Sequence, residues 1–443
     1  MTSDEKEAER QRQQQSGPGS EETGEVRELL PYEEWAESNL LCWGRSQDGQ
    51  AGPAPIEVDQ IKVVPHPTPI RFPFKTRRRI VAVSCGSRHT LALDDQAVPY
   101  SWGWGLCGQL GQGDFPAYQP SPRIIPSLAP SSSSPSSSTP CPGVQSISAG
   151  GVHSAAVDRE GRVFTWGEGS YGQLGLGDEG IGRKWLEERS NTGKGLGCPS
   201  LVPPESFDAP VRQLSCGAFH TAAVTRSGKV FTWGREEHGM LGHDVPPDKF
   251  TDAQDRPKEV ETTVHTGPAR SVSCGGWHTC MVTEVGRVFT CGRGEYGRLG
   301  LGDQRSRLTV VEVEGLEEEP VVEASAGGTH TMVLTKQGHI YSYGRGDFDR
   351  LGLRPSPASA SFPSPSSPSS PPSSSSSSLD SYRPKLVQYL KMARQRVCCV
   401  QSGGAHSACI VEPPTEDEQA QVTQQQYDKH QQQSPLSPQQ GNK

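Results

Sequence analysis

Short stretches of alternating apolar and polar residues recur along this chain, each about five residues long. HTLAL at 89–93, HSAAV at 153–157, HTAAV at 220–224, HTCMV at 278–282 and HTMVL at 330–334 have this form, as do RVFTW at 162–166 and KVFTW at 229–233. Alternation with a period of two over that length predicts half-buried strands. The turns DREG, RSGK and KQGH between such stretches predict antiparallel pairing of neighbours. Long apolar stripes at helical spacing do not interrupt the series, so the pattern predicts an all-β protein.

The strands fall into two alternating phrases. In one, glycine stands three residues before histidine: VSCGSRHTLAL, ISAGGVHSAAV, LSCGAFHTAAV, VSCGGWHTCMV, ASAGGTHTMVL and VQSGGAHSACI, with His89, His153, His220, His278, His330 and His406. The other is an aromatic–glycine phrase anchored at Trp43, Trp102, Trp166, Trp233, Cys291 and Tyr343. A glycine-rich turn of the type GQLGxGD often follows it. Two Ser/Pro tracts, 127–142 and 355–378, lie outside the repeat; without them the unit is about 55 residues long, near the ~40–50 residues of a four-stranded propeller blade. Residues 39–411 are therefore expected to form a single closed β-propeller of six blades, with seven as the alternative count. The series opens on an aromatic–glycine half at Trp43 and closes on a histidine half at His406, which predicts one blade shared by the two termini.

Composition sharpens this picture. Hydrophobic residues make up 32% of the chain, with 50 glycines and 38 prolines, which suits short strands and many turns. Residues 1–38, acidic and Gln-rich, and residues 412–443 are too poor in aromatics to bury a core and are expected to be disordered tails. The net charge of −8 argues against nonspecific nucleic-acid binding. No apolar run approaches a membrane span or a secretory signal, so a cytoplasmic or nuclear location is expected. The twelve cysteines show no metal-ligand spacing, and Cys85, Cys216 and Cys274 share one repeat slot, which predicts small buried hydrophobes.

The alternation of Gly-x-x-His with Trp-Gly and GQLG resembles the repeat of the regulator of chromosome condensation family of β-propellers. The resemblance covers about 370 of the 443 residues, with six full pairs where the founding member has seven blades. It implies a propeller whose activity lies in what its loops hold. Three functions fit such a chain: a non-catalytic scaffold binding a partner protein; guanine-nucleotide exchange on a Ran-type small GTPase; and, through the plant ultraviolet-B photoreceptors of the family, light sensing. The last requires a tryptophan cluster, and here only Trp277 stands beside a repeat histidine.

No residue set suggests catalysis, a metal or a cofactor. Histidines that recur once per repeat predict a structural role, each bonding a neighbouring backbone turn. GWGLCG, GEGSYG and GRGEYG match a dinucleotide fingerprint but occur in register within turns, so the glycines serve geometry. Two regions are candidates for partner binding. One is the insert 179–205, where Trp185 stands among Arg183, Lys184 and Arg189, the composition of interface hot spots. The other is a repeat slot two residues after each anchor, holding Arg45, Trp104, Glu168, Arg235, Arg293 and Arg345. Equivalent slots form a ring on one face, and the arginines would draw an acidic partner. The basic segment FKTRRR at 74–79 is read as a solvated strand edge.

Overall fold

The structure is a computed structural model, and it describes residues 36–411 apart from 53–54, 59–60, 74–77, 131–140, 178–194, 246–252, 262–265, 354–379, 389–396 and 405. Five four-stranded antiparallel sheets follow one another along the chain. The first holds β4 (Ile80–Cys85), β5 (His89–Asp94), β6 (Pro99–Gly103) and β7 (Gln119–Ile124). In the second, β8 (Val144–Ala149), β9 (His153–Asp158), β10 (Val163–Glu168) and β11 (Gly195–Leu201) repeat that order. The third runs through β12 (Val211–Cys216), β13 (His220–Thr225), β14 (Val230–Gly234) and β15 (Gln254–Glu259). The fourth comprises β16 (Ala269–Cys274), β17 (His278–Thr283), β18 (Val288–Gly292) and β19 (Arg307–Glu312). The fifth consists of β20 (Val321–Ala326), β21 (His330–Thr335), β22 (Ile340–Gly344) and β23 (Ser381–Leu386). A three-stranded sheet of β1 (Ala36–Arg45), β2 (Ile56–Val58) and β3 (Ile61–Phe72) precedes them, and a hairpin of β24 (Val397–Ser402) and β25 (Ser407–Val411) follows.

The register explains why glycine follows the aromatic anchor. In each complete sheet the repeat histidine on the second strand faces that glycine on the third, as in His220 opposite Gly234. Gly234 has φ of +114°, and a Cβ there would lie 2.6 Å from the Phe219 carbonyl oxygen, so only glycine fits. The outer, fourth strands read differently from the inner ones: QPSPRI, QDRPKE and SYRPKL are polar and carry proline. Such strands suit a sheet edge and resist pairing with another chain.

Apolar side chains from neighbouring sheets fill the space between them. One cluster joins Ala155, Val157 and Val163 of the second sheet to Leu214, Phe231 and Trp233 of the third. Polar contacts then fix the spacing. His89, His153, His220, His278 and His330 are fully buried, and each places Nε2 2.8–2.9 Å from a hydroxyl of the following sheet: Ser154, Thr221, Thr279, Thr331 and Ser407. Those hydroxyls donate to the carbonyls of Gln109, Gln173, Met240, Arg298 and Arg350 in the preceding sheet's loop. The bond partner is thus a side-chain hydroxyl of the next sheet rather than a backbone turn. The indoles of Trp166 and Trp233 donate to the same Gln109 and Gln173 carbonyls. Where Cys291 replaces tryptophan, its thiol lies 3.7 Å from the Met240 carbonyl, a weak version of the same bond.

Several expected boundaries shift. β1 begins at Ala36, inside the segment read as a tail. Leu128 and Cys141, at the ends of the first Ser/Pro tract, pack into the core between the first and second sheets. Gly195–Leu201, read as part of an insert, is the fourth strand of the second sheet. Cys216 and Cys274 are buried as expected, whereas Cys85 is exposed.

The expected single closed ring is not drawn by the sheets, since no register joins β25 to β1. Each partial sheet nonetheless docks on its neighbour by the same bonds as the complete ones. The Gln50 carbonyl accepts from Thr90 Oγ1 at 2.9 Å and from Trp102 Nε1 at 3.0 Å, while Ser407 Oγ lies 2.7 Å from the Arg350 carbonyl. The seam lies between them, and Trp43 there is 61% exposed where Trp102, Trp166 and Trp233 are fully buried. Leu41, Val81, Val83 and Ile410 are also exposed.

Candidate interaction face

The loops that join first to second strands and third to fourth strands emerge at the same end of every sheet. They bring together the residue before each repeat histidine and the slots after each aromatic anchor. Arg235 sits among three rings from three sheets, its guanidinium carbon 4.7 Å from the Tyr171 centroid, 5.2 Å from Trp277 and 5.5 Å from Phe219. Arg293 lies 5.6 Å from Trp277, and Arg345 4.7 Å from Tyr296. Phe219 and His238 also pack against the Trp277 ring. Farther round, Arg88 covers Trp104 at 4.2 Å and pairs with Asp48. A guanidinium over a ring face contributes about 0.5–2 kcal/mol, more as water is excluded.

Three of the four slot arginines are also tied to a carboxylate two residues on. The pairs are Arg235–Glu237 at 2.5 Å, Arg293–Glu295 at 2.6 Å and Arg345–Asp347 at 2.5 Å. The ring of positive potential expected from these arginines is therefore neutralised locally. Arg45 is exposed at the seam, away from such a pair among the described residues. Beneath the face, Arg298 is buried and bonds the Glu295 and Gly328 carbonyls, and burial brings its pKa down to about 10.

Three loops share an uncommon backbone. His238, Tyr296 and Phe348 occupy one repeat slot and have φ of +59°, +61° and +56°, the left-handed region that bulky residues seldom adopt. Such conformations persist where the surroundings enforce them and concentrate at functional sites. Sequence reasoning missed this slot and the carboxylates, although aligning the six repeats position by position would have exposed both. Arg183, Lys184, Trp185 and Arg189 lie outside the described residues. Of the FKTRRR segment, Arg78 pairs with the buried Asp94. Among the described residues, no group of three or more His, Cys, Asp or Glu could hold a metal, and no helix is long and apolar enough to cross a membrane.

Repeated four-stranded sheets that pack on one another and are linked through a histidine and an aromatic–glycine phrase define a β-propeller of the repeat class. A family model for the RCC1-like domain matches residues 126–420, and models of the RCC1 repeat match 37–93 and 80–109. The chain belongs to the RCC1-like family. It is 32% identical to the ultraviolet-B receptor UVR8 of Arabidopsis thaliana, across 73% of this chain and 66% of that protein. Identity is 30% to the mitochondrial RCC1 domain-containing protein RUG3 of the same plant, across 71% and 67%, and 31% to the human E3 ubiquitin-protein ligase HERC2, across 61% and 5%. Among solved structures, human WBSCR16 matches with a TM-score of 0.63 and 21% identity over 84% of this chain and 82% of that one. Prp20p of Saccharomyces cerevisiae, described with its binding to Gsp1p and histones, matches with a TM-score of 0.53 and 19% identity over 90% and 97%.

Proposed function

We propose that the chain is a non-catalytic protein-binding scaffold that docks a partner on the face bearing the arginine–aromatic ladder. The observation that carries this reading is Arg235 enclosed by Tyr171, Phe219 and Trp277, a half-exposed cluster contributed by three sheets. Aromatic and arginine side chains held rigid at a surface are what binding hot spots are made of. The reading includes a closed ring of six blades, in which β25 pairs with β1. Two features support it: both partial sheets already dock like whole blades, and repeat equivalence would bring the Trp43 indole to the Arg350 carbonyl and Arg45 over Phe348. A cytoplasmic or nuclear location goes with it.

The test compares partner capture by the wild-type protein and by Phe219→Ala/Trp277→Ala. The double variant should retain its melting temperature within a few degrees and lose most capture, since truncating a hot-spot pair removes ~2 kcal/mol or more. Undiminished capture would place the interface elsewhere. Acceleration of nucleotide release from a Ran-type GTPase by the purified protein would instead favour the exchange-factor reading.

A further inference from the structure

The arginine slots suggested an acidic partner, but the charges on this face are arranged the other way round. In each pair the carboxylate is the more exposed member: Glu237 36%, Glu295 46% and Asp347 43%, against 27%, 29% and 36% for Arg235, Arg293 and Arg345. Each guanidinium lies over a ring and reaches its carboxylate through Nη2, and Arg345 brings Nε onto Asp347 Oδ2 as well. An acidic partner would have to break an ion pair and unstack a ring to reach them. The carboxylates retain capacity, because an ionised carboxylate has about four acceptor sites, although the second oxygen of Glu237 lies 3.3 Å from His238 Nε2 and that of Glu295 3.9 Å from Arg298 Nη2.

Position in the repeat adds a second constraint. The fourth residue after the anchor is Glu237, Glu295 and Asp347 in the third, fourth and fifth sheets, and Gln47, Leu106 and Ser170 in the other three repeats. The carboxylates thus form an arc along one half of the face, on the side where Trp277 and Tyr296 are half-exposed and His238, Tyr296 and Phe348 are held in the left-handed conformation. Rings interleaved with carboxylates attract cations twice, through the ring face and through the charge.

Building on the scaffold reading, we propose that this arc docks a basic segment of a partner protein, one that presents arginine or lysine side chains to Glu237, Glu295, Asp347 and the rings between them. The test titrates the full-length protein with a labelled arginine-rich peptide and with a glutamate-rich peptide of equal length, at low salt. The arginine-rich peptide should bind at least about tenfold more tightly. In the variant Glu237→Gln/Glu295→Gln/Asp347→Asn the arginines are released and the preference should reverse. Should that variant not fold, Glu295→Gln alone should weaken the arginine-rich peptide by about fivefold, as expected for a rim charge. The variant Glu314→Gln/Glu318→Gln, which removes exposed charge after β19, should leave binding unchanged. Equal loss in that control would show bulk attraction to an acidic protein and overturn the proposal. Preference of the wild type for the glutamate-rich peptide would also overturn it. Partner capture that depends on Trp277 with no preference for the basic peptide would overturn the proposal and leave the scaffold reading standing.

Discussion

A hydroxyl carries one proton, and in each repeat that proton is spent on a carbonyl: Thr221 Oγ1 donates to Gln173 O at 2.8 Å. The same oxygen, 2.9 Å from His153 Nε2, must then accept, which fixes the histidine as the neutral form protonated on Nε2. Nδ1 of all five buried histidines has no hydrogen-bond partner, so protonation there would bury an unpaired charge. Burial accordingly lowers the pKa of His89, His220 and His330 to about 4 and of His153 to about 3, from 6.5. The unfolded chain takes up these protons near 6.5 and the folded chain does not, so stability is complete above pH 6.5. It falls as pH drops toward about 4, by on the order of a few kcal/mol per histidine. Urea midpoints measured across that window should decline steeply. The variant His220→Gln, which removes one titrating group, should show a shallower decline along with a loss of about 1–3 kcal/mol at neutral pH.

At the level of strands, the glycine opposite each histidine is a point of no tolerance. Gly234→Ala would place a methyl 2.6–2.7 Å from Phe219 O and His220 Cα at positive φ, and should cost more than about 2 kcal/mol in denaturant melts. The inner strands were legible in the sequence because HTAAV and KVFTW alternate between two packed surfaces, and the aromatic–glycine anchor marks where each third strand ends. The outer strands were less so. GLGCPSL, the fourth strand of the second sheet, has glycine and proline where alternation would be sought, because an edge strand pairs on one side only. Leu128 lay hidden in a Ser/Pro tract, where local composition outweighed one apolar residue bound for the core. The face was half legible. Arg235, Arg293 and Arg345 stood out as a slot, but their charge was read without the Glu or Asp two residues on, which pairs with each of them.

Over the whole molecule, the seam between β25 and β1 is where the repeat is incomplete. Deleting the chain from Val397 removes the hairpin whose Ser407 bonds the fifth sheet, and should lower the melting temperature by many degrees. Deleting 131–140, outside the described strands, should shift it by no more than a few. Comparable losses would contradict the docking of the hairpin on the fifth sheet. The seam also has a consequence in time. Among the described strands, synthesis delivers β1, with Leu41 and Trp43 on it, first and β25 last. At ~5–20 residues per second, the edge of β1 waits tens of seconds for the strand that would cover it, while each of the five complete sheets is made from one continuous stretch of chain. A nascent chain caught in that interval would meet chaperones, or a neighbour on the same message, at this strand first.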